Sequence, residues 1–146
     1  MVRVISIAAS SASRYANGSR MIIKFKATEF GVHEESELIS CGASNTESDQ
    51  EYHYLCVQKL FEQDELEESE IYFEIDDQIN GGYEMITNCI LNKNLLEIRL
   101  NKGCKWYPDL EKIIVILPHS TEEIQEFANG FIKLFCNHEE KFKVVA

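Results

Sequence analysis

The sequence Glu70-Ile-Tyr-Phe-Glu-Ile-Asp76 alternates apolar side chains with carboxylates. Successive side chains of a β-strand point to opposite faces, so Ile71, Phe73 and Ile75 share an apolar face while the other face is acidic. This alternation is typical of an antiparallel strand that has one face on a core and the other in solvent. We therefore predict a strand over residues 70–76.

Similar patterns before and after this stretch predict further strands. They fall at residues 22–28, 38–42, 83–91, 95–100 and 110–117. Residues 52–61 favour a strand as well, although a helix could begin at Leu60. Turn-forming residues at 77–82 and 92–94 separate the later strands, which therefore form an antiparallel meander.

After Pro118 the apolar spacing becomes helical. Ser120 and Thr121 offer a hydroxyl cap, and two glutamates follow in the first turn. The apolar positions are Ile124, Phe127, Ala128, Phe131, Ile132 and Phe135. Such a helix needs a sheet to cover its apolar side. We predict the α+β class, with an antiparallel β-sheet meander and a C-terminal amphipathic helix packed on one face.

The predicted elements divide the chain into three parts. Residues 1–20 lack the sustained apolar stretch of a signal peptide. Their Ser, Ala, Asn and Gly residues predict a flexible leader or an upstream start. Residues 21–136 contain the predicted α+β domain. Residues 137–146 are either a tail or an edge strand.

The charge balance restricts the classes of partner. Asp and Glu number 25 against 14 Lys and Arg, which gives a formal net charge of -11. Such a charge repels nucleic acid and anionic membranes and attracts basic proteins, although it also aids solubility. Five cysteines without a close pair indicate free thiols in a reducing compartment. We predict a cytoplasmic protein that contacts neither nucleic acid nor a membrane directly.

No residue pattern indicates catalysis. The four histidines lack the short spacings that metal ligands share: His33, His53, His119 and His138. No nucleophile elbow surrounds a serine, and the pair Gly81-Gly82 lacks the lysine of a phosphate loop. We therefore predict no catalytic residue, no metal and no cofactor.

Carboxylates are concentrated between residues 62 and 77, where no Lys or Arg interrupts them. They are Glu62, Asp64, Glu65, Glu67, Glu68, Glu70, Glu74, Asp76 and Asp77. This cluster is either a solvated surface or a docking surface for a cationic partner, and the ordered spacing of a calcium loop is missing. Tyr72, Tyr83, Trp106 and Tyr107 are either aromatic anchors of such an interface or core residues with a polar tip outward.

Several of these segments together resemble the bacterial immunity protein 10 family. The resemblance covers roughly residues 21–135. It is carried by Tyr54-Leu-Cys-Val-Gln-Lys, Ile71-Tyr-Phe-Glu-Ile-Asp-Asp-Gln, Gly81-Gly82, Leu95-Leu-Glu-Ile-Arg-Leu and the closing strand and helix. Members of that family are encoded beside polymorphic toxins, including those of contact-dependent growth inhibition. The resemblance implies a cytoplasmic inhibitor that covers the active site of its own toxin, commonly a nuclease.

The resulting hypothesis is an immunity protein that binds a basic toxin domain, such as an RNase, stoichiometrically. The charge pattern and the candidate aromatic anchors together give the predicted toxin-binding residues, which are Glu62, Asp64, Glu65, Glu67, Glu68, Asp76, Asp77, Tyr83 and Trp106. Two alternatives stay open: an acidic adaptor module without a toxin partner, and a small enzyme of unknown chemistry. A homo-oligomer is possible but not indicated.

Overall fold

A computed structural model of the chain describes residues 20–45, 51–60 and 70–145. The predicted leader lies outside these ranges, except for Arg20. The strands in chain order are β1 (Met21–Lys26), β2 (Glu29–Glu35), β3 (Leu38–Ser44), β4 (Tyr54–Leu60), β5 (Ile71–Ile75), β6 (Asp77–Tyr83), β7 (Ile86–Asn92), β8 (Leu95–Leu100), β9 (Leu110–Ile116) and β10 (Phe142–Val145). Helix α1 covers Thr121–Leu134, and a short 3-10 helix covers Glu139–Lys141.

The strands form two five-stranded sheets. The first has the order β2-β3-β4-β5-β6 and is called the antiparallel sheet, because each strand pairs antiparallel with its neighbour in sequence. The second has the order β10-β7-β8-β9-β1 and is called the mixed sheet, because β1 and β10 add to its edges in parallel. The predicted α+β class with an antiparallel meander is confirmed. The division into two sheets is not predicted, since local patterns do not reveal which strands pair.

One apolar cluster lies between the sheets and includes residues from both of them and from the helix. In β5, for example, Ile71, Phe73 and Ile75 are buried, as their alternation predicts. The largest fully buried side chains are Phe73, Phe127, Phe131, Phe135, Ile39, Leu55, Ile75, Leu91, Leu96, Ile98, Ile113 and Leu117. Burial of each such side chain contributes about 1.5 to 3 kcal/mol. The side chains that alternate with these buried residues along each strand point away from the core.

Helix α1 covers one side of this core, as predicted. Its Phe127 meets Phe30 of β2 edge to face, with 5.0 Å between the ring centroids. Its Phe131 stacks on Phe142 of β10 at 5.3 Å. The helix therefore contacts the edges of both sheets. Within the described ranges, no helix is long and apolar enough to cross a membrane.

Two details of the predicted helix are wrong. Ser120 occupies the N-cap position, but its hydroxyl makes no capping hydrogen bond. Ile132, predicted on the apolar side, is 54% exposed. The buried side of the helix is narrower than the spacing of its apolar residues predicts. Only the residues that face β2, β3 and β10 are buried.

The prediction of a turn at residues 77–82 is also wrong, because these residues form β6. The chain reverses instead at Asp76, whose φ of 70° is left-handed. Asn80, a residue typical of turns, is buried here: its amide group donates to the Ile75 carbonyl at 2.8 Å and accepts from the Trp106 backbone at 2.9 Å. Strand β2 was not predicted, because its side chains are almost all exposed and lack an apolar alternation.

The Asp76 carboxylate is the centre of a buried polar cluster that joins the two sheets. Its Oδ2 atom accepts the Tyr107 hydroxyl at 2.5 Å and lies 2.9 Å from Nδ1 of His53. Its Oδ1 atom accepts the backbone N–H of Tyr54 at 3.1 Å. Tyr107 belongs to the connection between β8 and β9 of the mixed sheet, whereas Tyr54 begins β4 of the antiparallel sheet. Hydrogen bonds to an ionised carboxylate are stronger than neutral ones, so this cluster stabilises the contact between the sheets.

Replacing Tyr107 by Phe should destabilise the protein by about 1.5 to 3 kcal/mol, because a hydrogen bond to a buried carboxylate is lost. Urea unfolding measures this change. Tyr83→Phe is the matched control, since Tyr83 is 50% exposed and loss of its hydroxyl should cost less than about 0.5 kcal/mol. Equal unfolding free energies of the two variants would contradict a stabilising role for the cluster.

Candidate protein-interaction surface

The nine residues predicted to bind a toxin fall into two groups. Five lie outside the described residues: Glu62, Asp64, Glu65, Glu67 and Glu68. The other four are Asp76, Asp77, Tyr83 and Trp106. The structure places these four in different surroundings.

The two aspartates lie at the reversal between β5 and β6. The Asp76 side chain is only 5% exposed and is engaged in the buried cluster, so its position is that of a structural residue. Asp77 is partly exposed, and its Oδ1 atom accepts the backbone N–H of Ile79 at 3.0 Å. Of the pair, only Asp77 has its side chain accessible at the surface.

The two aromatic residues belong to different surfaces. Tyr83, at the end of β6, packs edge to face on Tyr72 with 5.3 Å between the ring centroids. Trp106 is 45% exposed and lies in the connection between β8 and β9, next to Tyr107. The structure therefore joins Tyr83, but not Trp106, to the outer side of the antiparallel sheet.

That outer side carries a group of tyrosines around one carboxylate. We call it the tyrosine face and define it by Tyr52, Tyr54, Tyr72, Glu74 and Tyr83. The register of the sheet brings these residues together, because Tyr72 pairs with Tyr83 and Glu74 pairs with Cys56, two residues after Tyr54. The rings of Tyr52 and Tyr54 lie 5.9 Å apart. Four of the six tyrosines of the chain are thus on one surface.

Glu74 is the centre of the tyrosine face. Its Oε1 atom accepts the Tyr72 hydroxyl at 2.7 Å, and its Oε2 atom accepts the Tyr54 hydroxyl. Burial, followed by the hydrogen bond to Glu74, raises the pKa of both Tyr54 and Tyr72 above the usual tyrosine value. Both hydroxyls therefore stay protonated and donate to the carboxylate. Among the described residues, no Lys, Arg or His forms an ion pair with Glu74.

Gly81 of β6 allows Tyr72 to reach Glu74. The Tyr72 ring lies over this glycine, and a Cβ atom there would stand 2.0 Å from the hydroxyl oxygen and 2.7 Å from the ring carbon that bears it. Any side chain at position 81 would therefore displace the ring. A glycine that carries the family resemblance thus has a physical role in this face.

The tyrosine face continues into a flat surface on β2 and β3. Gly31 and Gly42 lie opposite each other in the register of these strands, next to Cys56 of β4. A shallow depression passes over the two glycines between Glu29 and Tyr54. Such an open surface is typical of protein interfaces, whereas small ligands are mostly enclosed in clefts.

Charge is divided between the two sheets. The strands of the antiparallel sheet contain one Lys or Arg, Lys59, whose buried Nζ atom donates to the Cys136 carbonyl at 2.7 Å. The same strands contain Glu29, Glu34, Glu35, Glu74 and Asp77. The strands of the mixed sheet contain Lys24, Lys26, Arg99, Lys112 and Lys143 against Glu97 and Glu111. Lys133 of helix α1 forms an ion pair with Glu34. The tyrosine face contains Glu74 and no Lys or Arg, so it is negative and attracts cations.

One residue pair has the geometry of a catalytic dyad, namely His53 and Asp76. Both side chains are almost completely buried, and the Phe25 ring stacks on the imidazole with 5.4 Å between the ring centroids. A substrate therefore does not reach the pair.

Cys41 and Cys104 are not reactive nucleophiles either. Burial raises the pKa of Cys41 to about 12 and that of Cys104 to about 11, so neither is a thiolate near neutral pH. In the described ranges no group of His, Cys, Asp and Glu residues could hold a metal ion.

The sequence pattern indicated only part of the tyrosine face. The sequence offers Tyr72 and Tyr83 as candidate anchors and Tyr54 only as part of the family resemblance, and it gives no functional signal for Tyr52. The sequence does place Tyr54 and Glu74 on the polar side of their own strands, which indicates that each faces away from the core. What joins them is the pairing register of β4 and β5, which local patterns do not specify.

The raised pKa values of Tyr54 and Tyr72 predict a response to alkaline pH. Their contribution to stability is fully present below the ordinary tyrosine pKa of about 10 and is lost as the pH rises through the folded-state values. Glu74→Gln should lower both pKa values, because a neutral amide no longer repels the phenolate. Titration of the phenolate absorbance measures this, with Glu97→Gln as the control. Superimposable curves for Glu74→Gln and the native protein would contradict the contact.

Comparison with known proteins identifies one family. The sequence model of the family described as Immunity protein 10 matches residues 26–125, a range that contains the whole tyrosine face. No curated protein and no solved structure gives a significant match. Because the family match covers more than half of the chain, this protein belongs to the Immunity protein 10 family.

Proposed function

We propose that this protein neutralises a cognate bacterial toxin by stoichiometric binding. The observation that carries the proposal is membership in the Immunity protein 10 family. The toxin is part of a polymorphic toxin system, such as contact-dependent growth inhibition, and the inhibitory complex forms in the cytoplasm. The protein acts by binding and not by catalysis, in keeping with the burial of its His53–Asp76 pair.

The toxin is proposed to be a basic nuclease, with an RNase as the first candidate. A nuclease keeps a cationic cleft for the phosphates of its substrate. The net charge of -11 and the negative tyrosine face are complementary to such a cleft. Carboxylates of the inhibitor would lie where the phosphates otherwise bind, so the substrate is excluded.

The proposed contact residues combine the acidic segment with the described surface. The acidic segment contributes Glu62, Asp64, Glu65, Glu67 and Glu68. The described residues contribute Asp77 and Tyr83 of β6, and Trp106 on a separate surface between β8 and β9. Asp76 supports this surface from within the buried cluster, where its carboxylate already accepts hydrogen bonds from the protein.

Growth of cells that express the product of the neighbouring gene should stop and should be restored by co-expression of this protein. The two proteins should also co-purify in a fixed ratio, because an inhibitor that acts by binding must be present in stoichiometric amounts. An unrelated acidic protein is the control. Degradation of RNA by the purified toxin, abolished by an equimolar amount of this protein, tests the nuclease assignment.

Failure to find a partner together with failure to restore growth would contradict the immunity role. Restored growth without any nuclease activity of the toxin would contradict only the nuclease assignment. Restoration at far less than equimolar amounts would indicate catalysis by this protein instead of binding.

Reversing Glu65, Glu67 and Glu68 to Lys should slow association with the toxin by about tenfold, because complementary charge accelerates encounter. Thermal stability should change little if these side chains act only in binding, since charge substitutions outside a protein core usually have small effects. Stopped-flow or surface-based kinetics at two salt concentrations measure the rate. Reversal of the exposed Glu123, Glu126 and Glu140 produces the same net charge and is the control. Equal association rates of the two triple variants would remove the acidic segment from the contact residues.

A further inference from the structure

We propose that Glu74 receives a basic side chain of the toxin, so that the tyrosine face is the surface that contacts it. The inference rests on the proposed function and identifies the surface through which the protein would bind the toxin. The group that binds is an Arg guanidinium or a Lys ammonium presented by a protein segment.

The Glu74 carboxylate has acceptor capacity that the described residues do not use. Each carboxylate oxygen offers about two acceptor positions. The Tyr72 hydroxyl occupies one position on Oε1, and the Tyr54 hydroxyl occupies one on Oε2. Both donors are neutral, so the negative charge is not balanced by them. A guanidinium can bind both oxygens at once, which is the strongest arrangement for such a pair.

Glu97 shows how a carboxylate on an outer sheet surface is paired elsewhere in this protein. It lies on β8, the central strand of the mixed sheet, and its Oε2 atom accepts Nε of Arg99 at 2.9 Å. Glu74 lies on β5, an interior strand of the other sheet, where its neighbours are tyrosines and Cys56. Glu97 is paired with a cationic residue of its own strand, whereas none of the described residues forms an ion pair with Glu74. This difference points to a cation from a partner.

The surrounding tyrosines have the arrangement of an interface anchor. Tyr52 and Tyr83 are 52% and 50% exposed, whereas Tyr54 and Tyr72 are half-buried beside the carboxylate. Tyrosine is enriched among the residues that dominate binding energy in protein interfaces. The faces of aromatic rings also attract Arg and Lys cations. A basic side chain that reaches Glu74 would therefore be desolvated and held between rings.

Charge complementarity selects a protein cation as the occupant. The strands of this sheet carry no exposed Lys or Arg, so nucleic acid is repelled and a basic protein segment is attracted. A second copy of this chain could also offer cations, from the basic strands of its mixed sheet. That contact would join two different surfaces of identical chains and would produce rings or open assemblies, so self-association of the protein alone distinguishes it from toxin binding.

Glu74→Gln should weaken the affinity for the toxin by about 30-fold, the loss typical of a central interface residue. The amide retains the size of the side chain but loses its charge and one of the two acceptor oxygens that bind the Tyr72 and Tyr54 hydroxyls. Glu97→Gln is the matched control and should change the affinity by less than about twofold. Titration calorimetry on the full chain with the co-purified toxin measures both. Tyr83→Ala, which removes an exposed side chain, is a second variant and should weaken binding by about tenfold.

The results distinguish failure of this inference from failure of the proposed function. Unchanged affinity of Glu74→Gln and Tyr83→Ala, with tight binding by the native protein, would overturn the site and leave immunity intact. Absence of binding by the native protein would overturn the function and the site together. Self-association that Glu74→Gln abolishes, with unchanged toxin affinity, would make a second copy the occupant and would likewise overturn the proposal. Loss of affinity for Glu74→Gln but not for Glu97→Gln supports it.

Discussion

The reversal of the chain at Asp76 is the constraint on which the outer surface of this protein depends. A left-handed φ of 70° costs a residue with a Cβ atom about 1 to 2 kcal/mol. The hydrogen bonds that Tyr107 and the Tyr54 backbone donate to the buried carboxylate offset this cost. Because the chain turns within one residue, β6 lies directly beside β5. Tyr83 then meets Tyr72, whose hydroxyl extends over Gly81 to Glu74.

Two carboxylates that are neighbours in the alternating pattern therefore have different roles. Glu74 and Asp76 are two residues apart and would share the acidic side of an uninterrupted strand. The left-handed conformation at position 76 ends the alternation and turns its carboxylate into the interior. Glu74 remains on the outer side with two tyrosine donors and no cation among the described residues. One acid thus holds the sheets together, and the other is available to a partner.

The parts of the fold that sequence predicts correctly are those in which burial alternates along a single element. Strand β5 and helix α1 are examples, since each has one side on the core. Strand β2 is not predicted because it is exposed along most of its length. Strand β6 is not predicted because its Asn and Gly residues are typical of turns. The parallel pairing of β1 with β9 joins residues that are far apart in sequence. The same limit applies to the tyrosine face, because Tyr54 and Glu74 come together only through the register of two strands.

In the proposed complex, two kinds of acidic residue have different roles: the acidic segment affects the rate of association, and Glu74 affects which toxin binds. A segment rich in carboxylates accelerates the encounter with any basic protein, and salt at about 0.1 M screens this attraction at distances beyond about 10 Å. Net charge alone therefore cannot distinguish one basic toxin from another. A half-buried carboxylate between two tyrosines can, because it accepts a cation only from a partner whose surface also fits the rings around it. A toxin that buries Tyr54 and Tyr72 without offering a cation would leave the Glu74 charge desolvated and unpaired, which is costly. Selection of the cognate toxin would then depend on Glu74 rejecting the wrong partner as much as on its binding the right one.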